Sequence, residues 1–288
     1  MASSRSTSAC TPIPKADHLV APPDSMVGYP GSKAASGLCE RIIRQMPPHN
    51  VYIEAFAGCA AVFRKKAPAA SSVLMDVDSK LCHRLRSYLA GCAEVGRVEV
   101  IHGDAMEILP SLPAVKAPGT LVYFDPPYLR ETRSKMVLYD FEFTTPDAHS
   151  ALLTMAAALP CMVMISGYMS KLYARTLKRW WMIEIPAMTR GGPRTECLWS
   201  NFPEPKTLHD ARFAGGDFRE RERIKRKRER WQAKFLGMDP RERQAIAAAL
   251  VGVDRASVEA AMRSATPAAA MVDPASTIVA NDATDSGR

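Results

Sequence analysis

Several things are scarce or missing in this chain. Its seven cysteines, at positions 10, 39, 59, 82, 92, 161 and 197, never form a Cys-x-x-Cys pair, and its six histidines show no ligand spacing. That excludes a zinc finger and a disulfide framework as organising devices, so no metal is expected and a reducing compartment, the cytoplasm, is the expected setting. No run of eighteen apolar residues occurs and the N-terminus carries no apolar signal core, so neither a membrane span nor secretion is expected. Aromatic residues make up 7%. What is there suffices for a globular core: 288 residues, 47% hydrophobic, with a formal net charge of +8.

The most informative stretch is Asp125-Pro126-Pro127-Tyr128, directly after the apolar run Leu121-Val-Tyr-Phe124. Leu, Val, Tyr and Phe favour a strand, and two prolines cannot continue a sheet ladder, so Asp125 is expected at a sheet edge. There a carboxylate, the Pro126 carbonyl and the Tyr128 ring converge on one planar ligand. Two acceptors bonded to the hydrogens of an exocyclic amine localise its lone pair for attack on a methyl group, while the ring clamps the base. Alone, the tetrapeptide reads equally well as a turn, because Pro after Asp is common in turns. Its flanks decide the matter.

Val51-Tyr-Ile-Glu54-Ala-Phe56-Ala57-Gly58-Cys59 reads as a strand entering a small-residue loop, followed by a helical pattern from Ala60 to Lys66. Such a loop lets backbone approach a ligand at the carboxyl end of a parallel sheet. Ser72-Val-Leu-Met-Asp76 is a second strand ending in an acid, at a spacing of roughly twenty residues that suits a ribose contact. Val98-Glu-Val-Ile-His-Gly-Asp104 is a third. Either acid alone could be a helix N-cap.

These segments resemble the DNA adenine-N6 methyltransferases, specifically the family whose best-known member methylates adenine in GATC, with particular likeness to compact phage and prophage members. The likeness runs from about Tyr29 to Phe202. It rests on Tyr29-Pro-Gly-Ser-Lys33, Glu54-Ala-Phe-Ala-Gly58, Met75-Asp-Val-Asp78, Asp125-Pro-Pro-Tyr128, Ile165-Ser-Gly-Tyr168 and Gly191-Gly-Pro-Arg-Thr-Glu-Cys-Leu-Trp-Ser-Asn201. The resemblance implies an α/β class I methyltransferase fold with a mostly parallel sheet and an antiparallel closing strand. It implies S-adenosylmethionine as cofactor, held by Tyr29, Lys33, Glu54, Phe56, Ala57, Gly58, Asp76, Asp104 and Asp125, and adenine in DNA as the partner, flipped onto Asp125 and Tyr128. Arg130, Arg133 and Lys135 would form a lip over the base. An RNA adenine methyltransferase, a cytosine-N4 enzyme and a non-catalytic DNA-binding protein on a decayed fold are the alternatives; intact Asp125 and Tyr128 speak against the last.

Two departures stand out. Ala60 occupies a position where many relatives have a second Gly, which is tolerable if its φ stays negative. The larger relatives place a target-recognition segment between the third motif and the catalytic one, whereas here Ala105 to Phe124 leave room for one helix and one strand. Sequence recognition is therefore expected to be slight or to come from elsewhere.

Composition sets the expected organisation: a flexible leader over 1–27, a catalytic domain over 28–205, a basic helical extension over 206–264 and a disordered tail over 265–288. Ser32 is the expected cap of an amphipathic run through Leu38, Ile42, Ile43 and Met46. Thr145-Pro146 opens a helix ending near Leu159, Met162-Val-Met-Ile165 follows as a strand, and Trp181–Ile185 with Glu196–Asn201 form an antiparallel closing pair. Lys206 to Lys234 hold eleven Lys or Arg against five Asp or Glu. Arg223, Lys225, Arg226, Lys227 and Arg228 are the candidate phosphate contacts, although a solvated helix laced with Glu-to-Arg pairs has the same composition. Asp239 caps a second helical pattern through Ile246 and Leu250.

Overall fold

The computed structural model describes residues 33, 37–92, 96–129, 143, 145–189 and 192–265. The leader, Ser32, Tyr29, Gly191, the lip residues Arg130, Arg133 and Lys135, and the tail from 266 lie outside these.

Helix α1 (Leu38–Ile43) leads into strand β1 (Val51–Ala55), α2 (Ala61–Lys65), β2 (Ser71–Asp76), α3 (Ser79–Ala90), β3 (Arg97–His102) and α4 (Ala105–Ile108). Strand β4 (Thr120–Phe124), α5 (Pro146–Ala158), β5 (Met162–Gly167), α6 (Lys171–Thr176), β6 (Trp181–Thr189) and β7 (Gly192–Ser200) follow. Helices α7 (Phe218–Leu236), α8 (Pro240–Val253) and α9 (Arg255–Ala265) come last.

The strands form one sheet in the order β3-β2-β1-β4-β5-β7-β6. Strands β1 to β5 pair in parallel, and β7 runs antiparallel to both neighbours. This is the expected α/β architecture, a mostly parallel sheet closed by an antiparallel strand. The period of two along each strand sorts its residues between two cores. Tyr52, Leu74, Leu121, Tyr123 and Met164 pack with α1, α2 and α3 on one face, and Ile53, Val73, Met75, Val122, Phe124 and Val163 pack with α4, α5 and α6 on the other. All of β4 is buried, which is why it reads as an unbroken apolar run.

Chain order doubles back between β1 and β4. From β1 the chain proceeds outward through β2 to β3, and from β4 it proceeds the other way to β5. A crevice therefore opens at the carboxyl ends of these two adjacent strands, the place where such sheets bind ligands. Ala55 pairs with Phe124, so the loops after β1 and β4 lie side by side.

The local signals hold at several helices. Thr145 accepts the Ala148 N–H with Pro146 in the first turn, and Asp239 accepts the Arg241 N–H. Helix α1 departs from expectation: Gly37, at φ 70°, precedes its first residue, and the helix ends at Ile43, although Met46 is still buried in the same core.

The expected boundary at 205/206 falls too early. His209 and Asp210 are buried against the catalytic unit. Asp210 Oδ2 accepts the Ala67 N–H at 2.8 Å and pairs with Arg212 at 2.6 Å, while Arg212 donates to the Lys65 carbonyl at 3.0 Å. His209 stacks on His49 with ring centroids 3.6 Å apart. These side chains satisfy backbone groups of the turn after α2, so the segment through Phe213 belongs to the catalytic unit. Composition had no means of showing this.

Candidate active site

The loop after β1 is built from left-handed backbone. Phe56, Gly58 and Ala60 have φ of 61°, 53° and 49°. The condition under which Ala60 would be readily tolerated, a negative φ, is thus not met. A left-handed alanine costs about 1–2 kcal/mol. Burial of its methyl group and two short bonds offset that cost here: the Ala60 N–H donates to Ala57 O at 2.7 Å, and its carbonyl accepts the Arg64 N–H at 2.9 Å. Phe56 carries similar strain, and its ring packs on Phe143 with centroids 5.1 Å apart. Strain of this kind gathers where a loop is shaped for a ligand.

Asp76 braces the loop from β2. Its Oδ2 accepts the Gly58 N–H at 2.7 Å and its Oδ1 the Asp78 N–H at 2.9 Å. Burial pushes its carboxyl above the usual range, and these two bonds pull it partly back. The helix-cap role that Asp76 could have had falls instead to Asp78, which accepts from Lys80 and Leu81. Asp104 does act as a cap, accepting the Met106 N–H at 2.8 Å, and it is exposed at the end of β3. Glu54 departs from the cofactor-contact expectation. Its carboxylate is buried under the loop and accepts the Tyr52 hydroxyl and the Phe63 N–H, both at 3.0 Å. It holds the start of α2 in place, and burial raises its pKa to about 8.

Asp125 sits at the end of β4, partly buried. Lys33 Nζ lies 2.7 Å from its Oδ1 and 4.8 Å from the centre of the Tyr128 ring. Lys33 therefore stands with Asp125 and the Tyr128 ring, where the resemblance implied a place on the cofactor. Burial raises the Asp125 carboxyl above its ordinary value, Lys33 opposes that rise, and the nearby Glu196 charge adds to it. The Tyr128 hydroxyl donates to Glu196 Oε2 at 2.8 Å and lies 3.4 Å from Asp125 Oδ1. Burial first, then the two carboxylates, hold this phenol well above its normal pKa, so it keeps its proton. Tyr168 meets the Tyr128 ring edge to face at 4.6 Å.

Two contributors were not legible from motifs. Glu196 lies 71 positions from Asp125 and reaches it only through the antiparallel register that pairs Gly167 with Cys197. His149, buried on α5, lies 3.1 Å from the Pro127 carbonyl and 3.2 Å from that of Phe143 through Nε2. Carbonyls only accept, so Nε2 carries the proton and Nδ1 accepts the Tyr173 hydroxyl at 2.8 Å. Pro126 is buried. The sequence signal that could have found Glu196 is a carboxylate directly before the apolar run Cys197-Leu198-Trp199.

Helix α7 carries nine Lys or Arg against three Glu and buries none of its residues. Arg223, Lys225, Arg226, Lys227 and Arg228 are all exposed. At helical spacing Arg219, Arg223, Arg226 and Arg230 form one stripe with Lys227 and Lys234 beside it, whereas Lys225 and Arg228 face elsewhere. The pairs Arg223–Glu220 and Lys225–Glu222, at 3.6 and 3.9 Å, are long and exposed and neutralise little of it.

Among the described residues no group of three or more His, Cys, Asp or Glu is placed to hold a metal, and no helix is long and apolar enough to cross a membrane.

No protein-family model matches the sequence, and no curated protein matches it. Solved structures similar to the chain include the 23S rRNA methyltransferase ErmE, 13% identical, with 65% of this chain and 81% of that chain covered at a TM-score of 0.38. Magnesium protoporphyrin IX methyltransferase from Synechocystis PCC 6803, crystallised with bound S-adenosylmethionine, is 11% identical over 54% of this chain and 71% of that one, at 0.37. An rRNA methylase from Streptococcus thermophilus is 11% identical over 56% and 92%, at 0.36.

Proposed function

We propose that this chain methylates N6 of adenine in DNA, using S-adenosylmethionine, on a base turned out of the duplex. One observation carries the reading: Asp125-Pro-Pro-Tyr128 closes β4 at the crevice of the sheet, beside the left-handed loop that Asp76 braces.

The donor set suits the cofactor. The Gly58 and Asp78 N–H groups each bond one Asp76 oxygen, the Val77 N–H adds to them, and the remaining lone pairs suit ribose hydroxyls. Gly58 presents no Cβ at a left-handed turn, Ala57 keeps the loop narrow, and Phe56 shapes its wall. Asp104 is assigned to the amine of the cofactor base and Tyr29 to its methionine end. Bound there, the cofactor supplies a methyl group activated on a sulfonium, whose carbon–sulfur bond breaks as the carbon–nitrogen bond forms.

The chain's own groups do the rest. The Asp125 carboxylate and the Pro126 carbonyl accept the two amine hydrogens, which draws the N6 lone pair out of the ring system. Lys33 favours the ionised form of Asp125, which then takes up the proton lost by the amine. Tyr128 stacks on the base, a contact worth about 1–3 kcal/mol. The arginine stripe of α7 tracks phosphates, and Arg130, Arg133 and Lys135, which follow Tyr128 in the chain, are assigned to nucleic-acid contact as well. Residues 105–124 are taken up by α4, two short 3-10 turns and β4, so a short or relaxed target context is expected.

The test is nucleoside mass spectrometry after incubation with labelled S-adenosylmethionine and, separately, duplex DNA, single-stranded DNA and structured RNA. Label in N6-methyldeoxyadenosine supports the reading. Label confined to RNA would reassign the partner, and label in N4-methylcytosine the base. Cofactor binding with no transfer to any substrate would leave a binding protein on a methyltransferase fold.

A further inference from the structure

Strand β7 runs against its parallel neighbours, so its first half lies at the same edge of the sheet as the carboxyl ends of β4 and β5. The strand's alternation sends Cys197 and Trp199 into the core beneath α5 and α6, and Leu198 into the opposite one. Glu196 shares the side of Leu198, in the position where an apolar residue would continue the pattern. It is 7% exposed. A carboxylate is costly to bury without partners, and its partners are two groups of the base site. Its Oε2 accepts the Tyr128 hydroxyl at 2.8 Å and lies 3.7 Å from Lys33 Nζ, which is itself 2.7 Å from Asp125.

Resting on the function proposed above, we infer that Glu196 is a positioning residue of the base site: from the antiparallel strand it holds the Tyr128 hydroxyl, thereby setting the ring on which the base stacks, and it shares the Lys33 ammonium with Asp125. A tyrosine whose hydroxyl is bound in this way differs from a plain stacking face. Tyr128→Phe keeps the ring, yet it frees the ring to rotate and strips a buried carboxylate of its hydrogen bond. A ring tilted by an ångström or so misplaces N6 relative to Asp125.

Among the described residues, the titratable groups that act on Asp125 or feel its charge, besides Lys33 and Tyr128, are Glu196, Glu54, Tyr123, Tyr168 and Tyr173. Of these, Glu196 is the carboxylate that bonds Tyr128 and opposes the ionisation of Asp125 most directly.

A double-mutant cycle tests the inference. Glu196→Ala and Tyr128→Phe should each lower kcat/KM by roughly tenfold or more with cofactor affinity little changed, and the double variant should lose no more than the worse single one. Glu196→Gln, which keeps an acceptor and drops the charge, should recover part of the loss and move the acid limb of the kcat/KM profile to lower pH. Additive losses with an unmoved acid limb would overturn the inference, as would a Glu196→Ala whose only effect is a lower Tm. Should Glu196→Ala fail to fold, the Glu196→Gln profile decides. Carbon-13 NMR titration of Asp125 separates this inference from the parent reading, because it needs no turnover. A lower Asp125 midpoint in Glu196→Gln supports the coupling even if the wild type methylates nothing offered, and an unchanged midpoint overturns it.

Discussion

On the function proposed above, two demands meet in the Asp125 carboxylate: it is to be ionised so that it accepts amine hydrogens, and sheltered enough for that acceptance to matter. Burial works against ionisation and Lys33 works for it. Asp125→Ala should abolish transfer, and Asp125→Asn should lose at least about 100-fold in kcat, since a neutral amide is a weaker acceptor and can turn its donor side inward. Comparison of initial rates with wild type at equal cofactor saturation checks this. Asp76 works at the other end of the crevice. Asp76→Ala should weaken S-adenosylmethionine binding by about 1–3 kcal/mol, measured by calorimetry, because it removes a charged acceptor. The loss should exceed that of Asp104→Ala, because Asp76 also braces Gly58, whereas exposed Asp104 caps a short helix.

Among the elements, α7 buries none of its residues, as does α8 after it. Nineteen residues that gain little from packing persist as helix through propensity, the Asp217 cap and the i,i+3 pairs. Removing such an element should leave the catalytic unit folded, provided the cut respects the docking of His209, Asp210 and Arg212. Truncation after Gly216 should keep Tm and cofactor affinity near wild type, weaken DNA binding, and flatten the plot of log affinity against log salt by roughly 0.9 for each phosphate that α7 would otherwise neutralise. Truncation after Pro205 should lower Tm as well, because it deprives the Ala67 N–H and the Lys65 carbonyl of their partners. Undiminished DNA affinity after the first cut would make α7 a solvated appendage.

Over the whole molecule, the seam between the catalytic unit and the C-terminal segment is a buried basic cluster. His49 and His209 stack there beside Lys66, whose ammonium lies over the Tyr52 ring at 4.4 Å and whose pKa burial lowers to about 7. Burial, reinforced by the Lys66 charge, lowers His209 from 6.5 to about 3, and His49 falls well below its usual value. The folded protein thus refuses protons that the unfolded chain accepts. The histidine contribution to stability is complete above pH 6.5 and is lost as the pH falls toward 3. The Tm of wild type should therefore fall more steeply across that window than the Tm of His209→Gln. Parallel curves would mean that His209 does not titrate with unfolding.

By itself the sequence determined the alternation of strands and helices, the place of Asp125 and Tyr128 after β4 and the acid that closes β2, because each is written in a few consecutive residues whose geometry is local. Period and propensity likewise placed Thr145 and Asp239 at their helix starts. Ala60 escaped that logic: its left-handed φ comes from the close packing of loop and helix and runs against its own preference. Glu54 turned from ligand to brace because strand parity aims it under the loop. The partnership of Glu196 with Tyr128, the grip of His149 on Pro127, the place of Lys33 and the docking of His209 and Asp210 were decided by tertiary structure alone. Each joins groups 22 or more residues apart in the chain. Whether such groups meet depends on strand order and on the direction of β7, which arise from the packing of the whole sheet and are written in no single segment.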